Sequence, residues 1–178
     1  MEERLYFAYG SNCNLDQMAH RCPDATLMGT AILHNYELLF RGNGRGNGVA
    51  TIGRRPGDCV YGTLWKLTPE CERALDQYEG YPHLYEKHRV RVFDSGKAAH
   101  SVMVYIMTDR FHEPTMPSSL YYNGIKEGFR QNGLPLRPLL RAVTNTQQEI
   151  WDAQEERPAW DYRNYIQNKK KHPGRDTR

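Results

Sequence analysis

The chain has 178 residues, 39% of them hydrophobic and 25% charged, with a formal net charge of +3. Mean hydropathy is −0.80, and no apolar run exceeds about six residues, which leaves out a membrane-spanning helix. The length fits one domain able to bury a substantial core.

The acidic start, Met1-Glu2-Glu3-Arg4, enters a strand at once and does not read as a signal peptide. Leu5-Tyr6-Phe7-Ala8-Tyr9 is a short apolar and aromatic run, the pattern of a central strand. Gly10-Ser11-Asn12 then breaks it with three turn formers. A helix-like segment over 14–21 follows, with Asn12 or Asn14 as its N-cap and Asp16 in its first turn. A strand, a Gly-Ser turn and a helix N-terminus together place free N–H donors where an anionic group docks. The same residues equally describe an ordinary strand-to-helix turn, and pattern alone does not separate the two readings.

Residues 26–33 and 36–40 read as strands joined by a His34-Asn35 turn. The segment 42–48 carries glycine at every second position but lacks the Gly-Lys-Ser/Thr of a P-loop, so a mobile loop is expected, with rim or lid duty the lesser reading. Residues 49–52 resume a strand, Pro56-Gly57-Asp58 turns it, and 59–67 follow as a longer one. Thr68-Pro69-Glu70-Cys71-Glu72 opens a helix with a Thr cap, Pro at its first position and acids in its first turn, and Gly80 closes it. Residues 85–93 and 99–107 read as a strand pair. From about residue 118 the signal is helical: one helix capped by Ser119 and stopped by Asn132-Gly133, a second through about Trp151, and a third over 160–169. Strands first and helices last make an α+β chain, a small barrel or curled sheet of about six strands. We read residues 1–168 as the domain and 169–178 as a basic tail.

Charge is uneven. Residues 162–178 hold six Lys/Arg against Asp176 alone, so this stretch carries +5 of the chain's +3 and the remainder is net acidic. Basicity confined to a tail does not describe a nucleic-acid-binding core. None of the four cysteines (Cys13, Cys22, Cys59, Cys71) forms a C-x-x-C pair, which fits reduced thiols in a cytoplasmic protein. The seven histidines show no H-x-x-x-H or H-E-x-x-H pairing, so no zinc site is expected. Ser11 lacks a G-x-S-x-G elbow, which removes it as a hydrolase nucleophile. Cys13, beside the turn, is a candidate for a lowered pKa, though a buried spectator thiol is the plainer reading.

Glu79 is the acid that stands out. It lies at a helix end, next to Gly80 and flanked by Tyr78 and Tyr81. The negative end of the helix dipole and aromatic neighbours both raise a carboxyl pKa, as a general acid/base near neutral pH requires. A solvated glutamate preceding a capping glycine is the alternative.

Three stretches in order, Tyr6-Phe7-Ala8-Tyr9-Gly10-Ser11-Asn12, residues 57–67 with Gly62-Thr63-Leu64-Trp65, and Leu75-Asp76-Gln77-Tyr78-Glu79-Gly80, resemble the γ-glutamylcyclotransferase family. Asn132-Gly133-Leu134-Pro135-Leu136 is similar to that family's C-terminal part. The resemblance covers roughly residues 5–140. It implies a mixed barrel of five or six strands with peripheral helices and a pocket at one mouth. It also implies Glu79 as catalytic acid/base, a substrate loop made of Tyr6, Phe7, Ala8, Tyr9, Gly10 and Ser11, and Tyr121 as a pocket tyrosine. The implied partner is a small γ-glutamyl amide, converted to 5-oxoproline and a free amine with no cofactor and no metal. A homodimer and a non-catalytic binding module with the same pocket stay open at this stage.

Overall fold

The apolar run at the start forms strand β1 (Arg4–Ala8) of the computed structural model, which describes residues 4–155. Tyr6, Phe7 and Ala8 are buried, because β1 has neighbours on both sides. It pairs antiparallel with β3 (Gly48–Leu67) and parallel with β5 (Ala99–Met107) at Tyr6↔Met103. With β2 (Thr26–Gly42) and β4 (Tyr85–Asp94), the strands close a mixed barrel in the order β1-β3-β2-β4-β5. Closure gives every strand a neighbour on both sides, though the β2–β4 seam pairs only at Ala31↔Asp94 and Ile32↔Phe93.

The expected barrel of five to six strands has five. Two breaks read from the sequence fall inside continuous strands. His34-Asn35 and Pro56-Gly57-Asp58 lie opposite each other in one long hairpin, where the register shifts between His34↔Cys59 and Tyr36↔Arg54. Asn35 adopts a positive φ of 63°, and its Oδ1 accepts from the Gly57 N–H at 3.1 Å. The two turn signals therefore satisfy each other as a bulge, and pairing resumes beyond them.

Helix α1 (Leu15–Arg21) is capped by Asn14, whose Oδ1 accepts from the Gln17 N–H at 3.1 Å, so of the two expected caps Asn14 takes the role. A short 3-10 turn over Ser11–Cys13 links β1 to it. Helix α2 (Pro69–Glu79) starts as read, with Thr68 Oγ1 accepting from the Cys71 N–H at 3.1 Å. Gly80, at φ 65°, ends it in the left-handed conformation that glycine adopts without strain. Helix α3 (Ser119–Gln131) is capped by Ser118, one residue earlier than expected, because it is the Ser118 hydroxyl that faces the Tyr121 N–H. Helix α4 (Leu136–Glu155) buries Leu139, Ala142 and Thr146 and packs against β2. The helix expected over 160–169 and the basic tail lie outside the described residues. No helix among the described residues is long and apolar enough to cross a membrane.

The outer helices serve the turn after β1. Asn132 donates from Nδ2 to the Cys13 carbonyl at 2.8 Å, and Asn14 donates from Nδ2 to the Gly124 carbonyl at 3.0 Å. Residues 11–14 are all buried beneath α3. The turn is held rigidly against the barrel mouth.

Candidate active site

At that mouth lies a pocket of about 400 Å³. Its walls include Tyr6, Tyr9, Gly10 and Ser11 from β1 and the turn, Glu79 from the end of α2, and Tyr121 from α3. Six of the eight residues expected at the site thus converge. Phe7 and Ala8 do not line the pocket; both are 0% exposed and belong to the core. Alternation along the strand turns Phe7 away from the face of Tyr6, and its ring lies over Gly62, where a Cβ would come within 2.7 Å of it.

Glu79 is half-buried, and Asn12 donates from Nδ2 to its Oε1 at 2.8 Å. Burial pushes its carboxyl up to about 7, while the Asn12 hydrogen bond and the positive charge of Arg21 draw it down. At pH 7 the group therefore exists in both protonation states in comparable amounts. That is the condition for accepting a proton and returning it at nearly equal cost.

Aromatic hydroxyls wall the rest. Tyr9 donates to the Tyr105 carbonyl at 2.6 Å, and Tyr85 donates to the Ala50 carbonyl at 2.6 Å. The Ala50 N–H donates to the Tyr121 hydroxyl oxygen at 3.1 Å, fixing that phenol beside Gly10. Burial first, and the nearby Glu79 second, raise Tyr6 and Tyr9 well above the ordinary tyrosine value. These phenols stay neutral donors through the physiological range.

Sequence reasoning missed Asn12 as a partner of Glu79, although it lay within the quoted turn. It also missed Tyr78, Tyr85 and Tyr105, which line the pocket from three different elements. No local pattern marks them, since the barrel alone brings them together. The glycine-alternating segment 42–48 proves to be a rim. Asn43, Asn47 and Gly48 line the pocket, and Gly42 and Gly48 donate from N–H to the Glu113 and Met116 carbonyls at 2.9 and 3.3 Å. A Cβ on Gly48 would stand 2.1 Å from the Thr115 carbonyl oxygen, so only glycine permits this contact. The expected mobile loop is instead strapped to the segment before α3.

Cys13 is no nucleophile. It is 0% exposed, donates from Sγ to the Ala8 carbonyl at 3.2 Å, and burial pushes its thiol up to about 12. No group of three or more His, Cys, Asp or Glu among the described residues is arranged to hold a metal ion.

Residues 6–123 match the family described as gamma-glutamyl cyclotransferase, AIG2-like. The chain belongs to this family. A Homo sapiens protein named gamma-glutamylcyclotransferase is 36% identical over 143 residues, which cover 76% of this chain and 74% of that one. A Mus musculus protein of the same name is 34% identical over 142 residues, covering 75% and 74%. A solved structure titled gamma-glutamyl cyclotransferase is 31% identical and superimposes with a TM-score of 0.72 over 79% of this chain and 86% of that one. The chain is accordingly a cyclotransferase of the γ-glutamyl class, an enzyme rather than a binding module, and its five-stranded barrel is this family's fold. The matched span includes the turn, Glu79 and Tyr121.

Proposed function

We propose that this cyclotransferase acts on a small γ-glutamyl amide, a γ-glutamyl amino acid or amine, with Glu79 carrying the proton. One observation supports the reading above the others. A carboxyl that ionises near pH 7 shares a 400 Å³ pocket with the Gly10-Ser11 turn.

The chemistry follows from the substrate. Its α-nitrogen attacks the γ-carbonyl carbon, and the new C–N bond closes a five-membered lactam. The carbonyl oxygen takes up negative charge as the tetrahedral centre forms. When that centre collapses, the bond to the leaving nitrogen breaks, giving 5-oxoproline and a free amine. The α-ammonium sheds two protons on becoming the lactam N–H: the first goes to solvent and frees the lone pair for attack, and the second must reach the leaving nitrogen. Glu79 as carboxylate takes the second and as acid passes it on, so the residue ends the cycle as it began. The nucleophile is already part of the substrate. Holding it in a near-attack geometry lowers the barrier by up to roughly 7–11 kcal/mol in ideal intramolecular cases. The N–H groups of the turn receive the substrate carboxylate or the developing oxyanion, and the neutral tyrosines wall off water.

The test is 5-oxoproline release from γ-glutamyl amino acids, γ-glutamyl amines and glutathione. The wild-type chain should turn over at least one of the first two classes, and Glu79→Gln should lose at least about 100-fold in kcat without losing the fold. Full turnover by Glu79→Gln would remove Glu79 from the mechanism. We place the reaction in the cytoplasm on the strength of the unpaired cysteines.

A further inference from the structure

Arg21 takes no part in the chemistry above, yet it is one of the most heavily engaged side chains near the pocket. It stands at the last position of α1 and is half-buried. Its NH1 donates to Asn12 Oδ1 at 2.6 Å and to Ser11 Oγ at 3.2 Å, and its NH2 donates to Gln17 Oε1 at 2.7 Å. The guanidinium also stacks 3.7 Å above the ring of Tyr78, the residue immediately before Glu79. Tyr78 and Ser11 share a hydrogen bond at 3.2 Å, closing the circle.

The consequence lies in Asn12. A primary amide has an acceptor end and a donor end, and the two are fixed together. With Oδ1 claimed by a cation, Nδ2 must turn the other way, where it donates to Glu79 Oε1 at 2.8 Å and to the Tyr6 hydroxyl at 2.9 Å. If the amide were reversed, its oxygen would face the carboxylate and repel it.

Resting on the assignment of Glu79 as the proton carrier, we propose that Arg21 is a positioning residue of this reaction. By fixing the orientation of Asn12 it presents the Glu79 carboxyl to the pocket in a single pose. The planar guanidinium fork suits this task because it bonds two acceptors at set angles while stacking on a ring, which a lysine ammonium cannot do. Its charge also favours the carboxylate form of Glu79. Among the described residues, the remaining titratable groups lining the pocket around that carboxyl are phenols: Tyr6 and Tyr9 from β1 and its end, Tyr78 on α2, Tyr85 on β4, Tyr105 on β5 and Tyr121 on α3. Asp76, one turn back on α2, is engaged by the Tyr105 hydroxyl at 2.7 Å and by Lys87 at 2.8 Å.

The experiment is steady-state kinetics of 5-oxoproline release on the full chain for Arg21→Gln, Arg21→Lys, Asn12→Ala, the Arg21→Gln/Asn12→Ala double variant and Glu79→Gln. Arg21→Gln should lower kcat about 10- to 100-fold with KM little changed, the cost of a misplaced catalytic group. In the Asn12→Ala background the same substitution should add no further loss, because the path through Asn12 is already gone. Without the cation the rising limb of kcat/KM should move to higher pH, and Arg21→Lys should return the limb to its place while kcat stays low. Should Arg21→Gln fail to fold, Arg21→Lys carries the test, since lost kcat with an unmoved limb is then the expected result. Wild-type kcat in the folded Arg21 variants, or losses at Arg21 and Asn12 that simply multiply, would overturn the proposal. Glu79→Gln separates the two claims: if it is inactive while the Arg21 variants are normal, only the Arg21 proposal falls. If Glu79→Gln keeps full turnover, the reading beneath it falls as well.

Discussion

Glu79 is a compromise between solvation and function. Its carboxyl ionises at about 7 in the folded protein against an ordinary 4.5, so the native state holds the proton more tightly than the unfolded chain does. The stability this contributes is complete below about pH 4.5 and is lost as pH rises to about 7. Glu79→Gln keeps a neutral group at every pH. Its melting temperature should match the wild type in acid and exceed it above pH 7, a gap on the order of 3 kcal/mol at most. Thermal melts from pH 4 to 8 read the sign directly, and a variant that loses ground as pH rises would contradict it. Much of this residue was legible beforehand: a helix-end acid beside Gly80 with aromatic neighbours is a readable pattern. Arg21 was not, because its partners Asn12 and Tyr78 are brought to it by the fold, and a lone arginine in a last helical turn reads as a partner of the helix dipole.

At the scale of elements, local signals served where one element carries its own boundaries. Thr68-Pro69 and Gly80 bracket α2 as they appear in the sequence. The long hairpin of β2 and β3 was read in fragments because Asn35 and Gly57 look like two separate turns. In the fold they are one bulge, joined by the hydrogen bond between them. Rim duty at 42–48 stood as the lesser reading for a similar reason: glycines that allow flexibility in isolation here allow close approach of two backbones. Gly48→Ala places a methyl against the Thr115 carbonyl. It should cost about 1–3 kcal/mol, as overpacking does, and should raise KM more than it lowers kcat, because the rim forms a pocket wall and lies apart from the proton path. Denaturant melts and Michaelis kinetics on the same preparation test both halves. An unchanged KM with a weakened fold would confine the loop to a structural role.

Over the whole molecule, the barrel sets two sides of one strand to different work. Tyr6 faces the pocket and bonds Asn12, while Phe7 is sealed in the core. Residues 5–9 already read as a central strand, but the family pattern runs through Tyr6 and Phe7 without distinguishing them, so the resemblance implied one substrate segment over 6–11. Phe7→Ala should destabilise the protein by about 3–5 kcal/mol while leaving KM per folded molecule unchanged. A raised KM in the folded fraction would return Phe7 to the binding site. The closed barrel, with α3 bracing the turn and α2 delivering Glu79, holds two elements some seventy residues apart in one pocket.

If Glu79 moves the proton, its own titration must govern the pH dependence of kcat/KM. The wild type should show a rising limb with an apparent pKa near 7, and the residual activity of Glu79→Gln should lack it. A wild-type profile flat across this range, or a Glu79→Gln profile retaining the same limb at full rate, would contradict it.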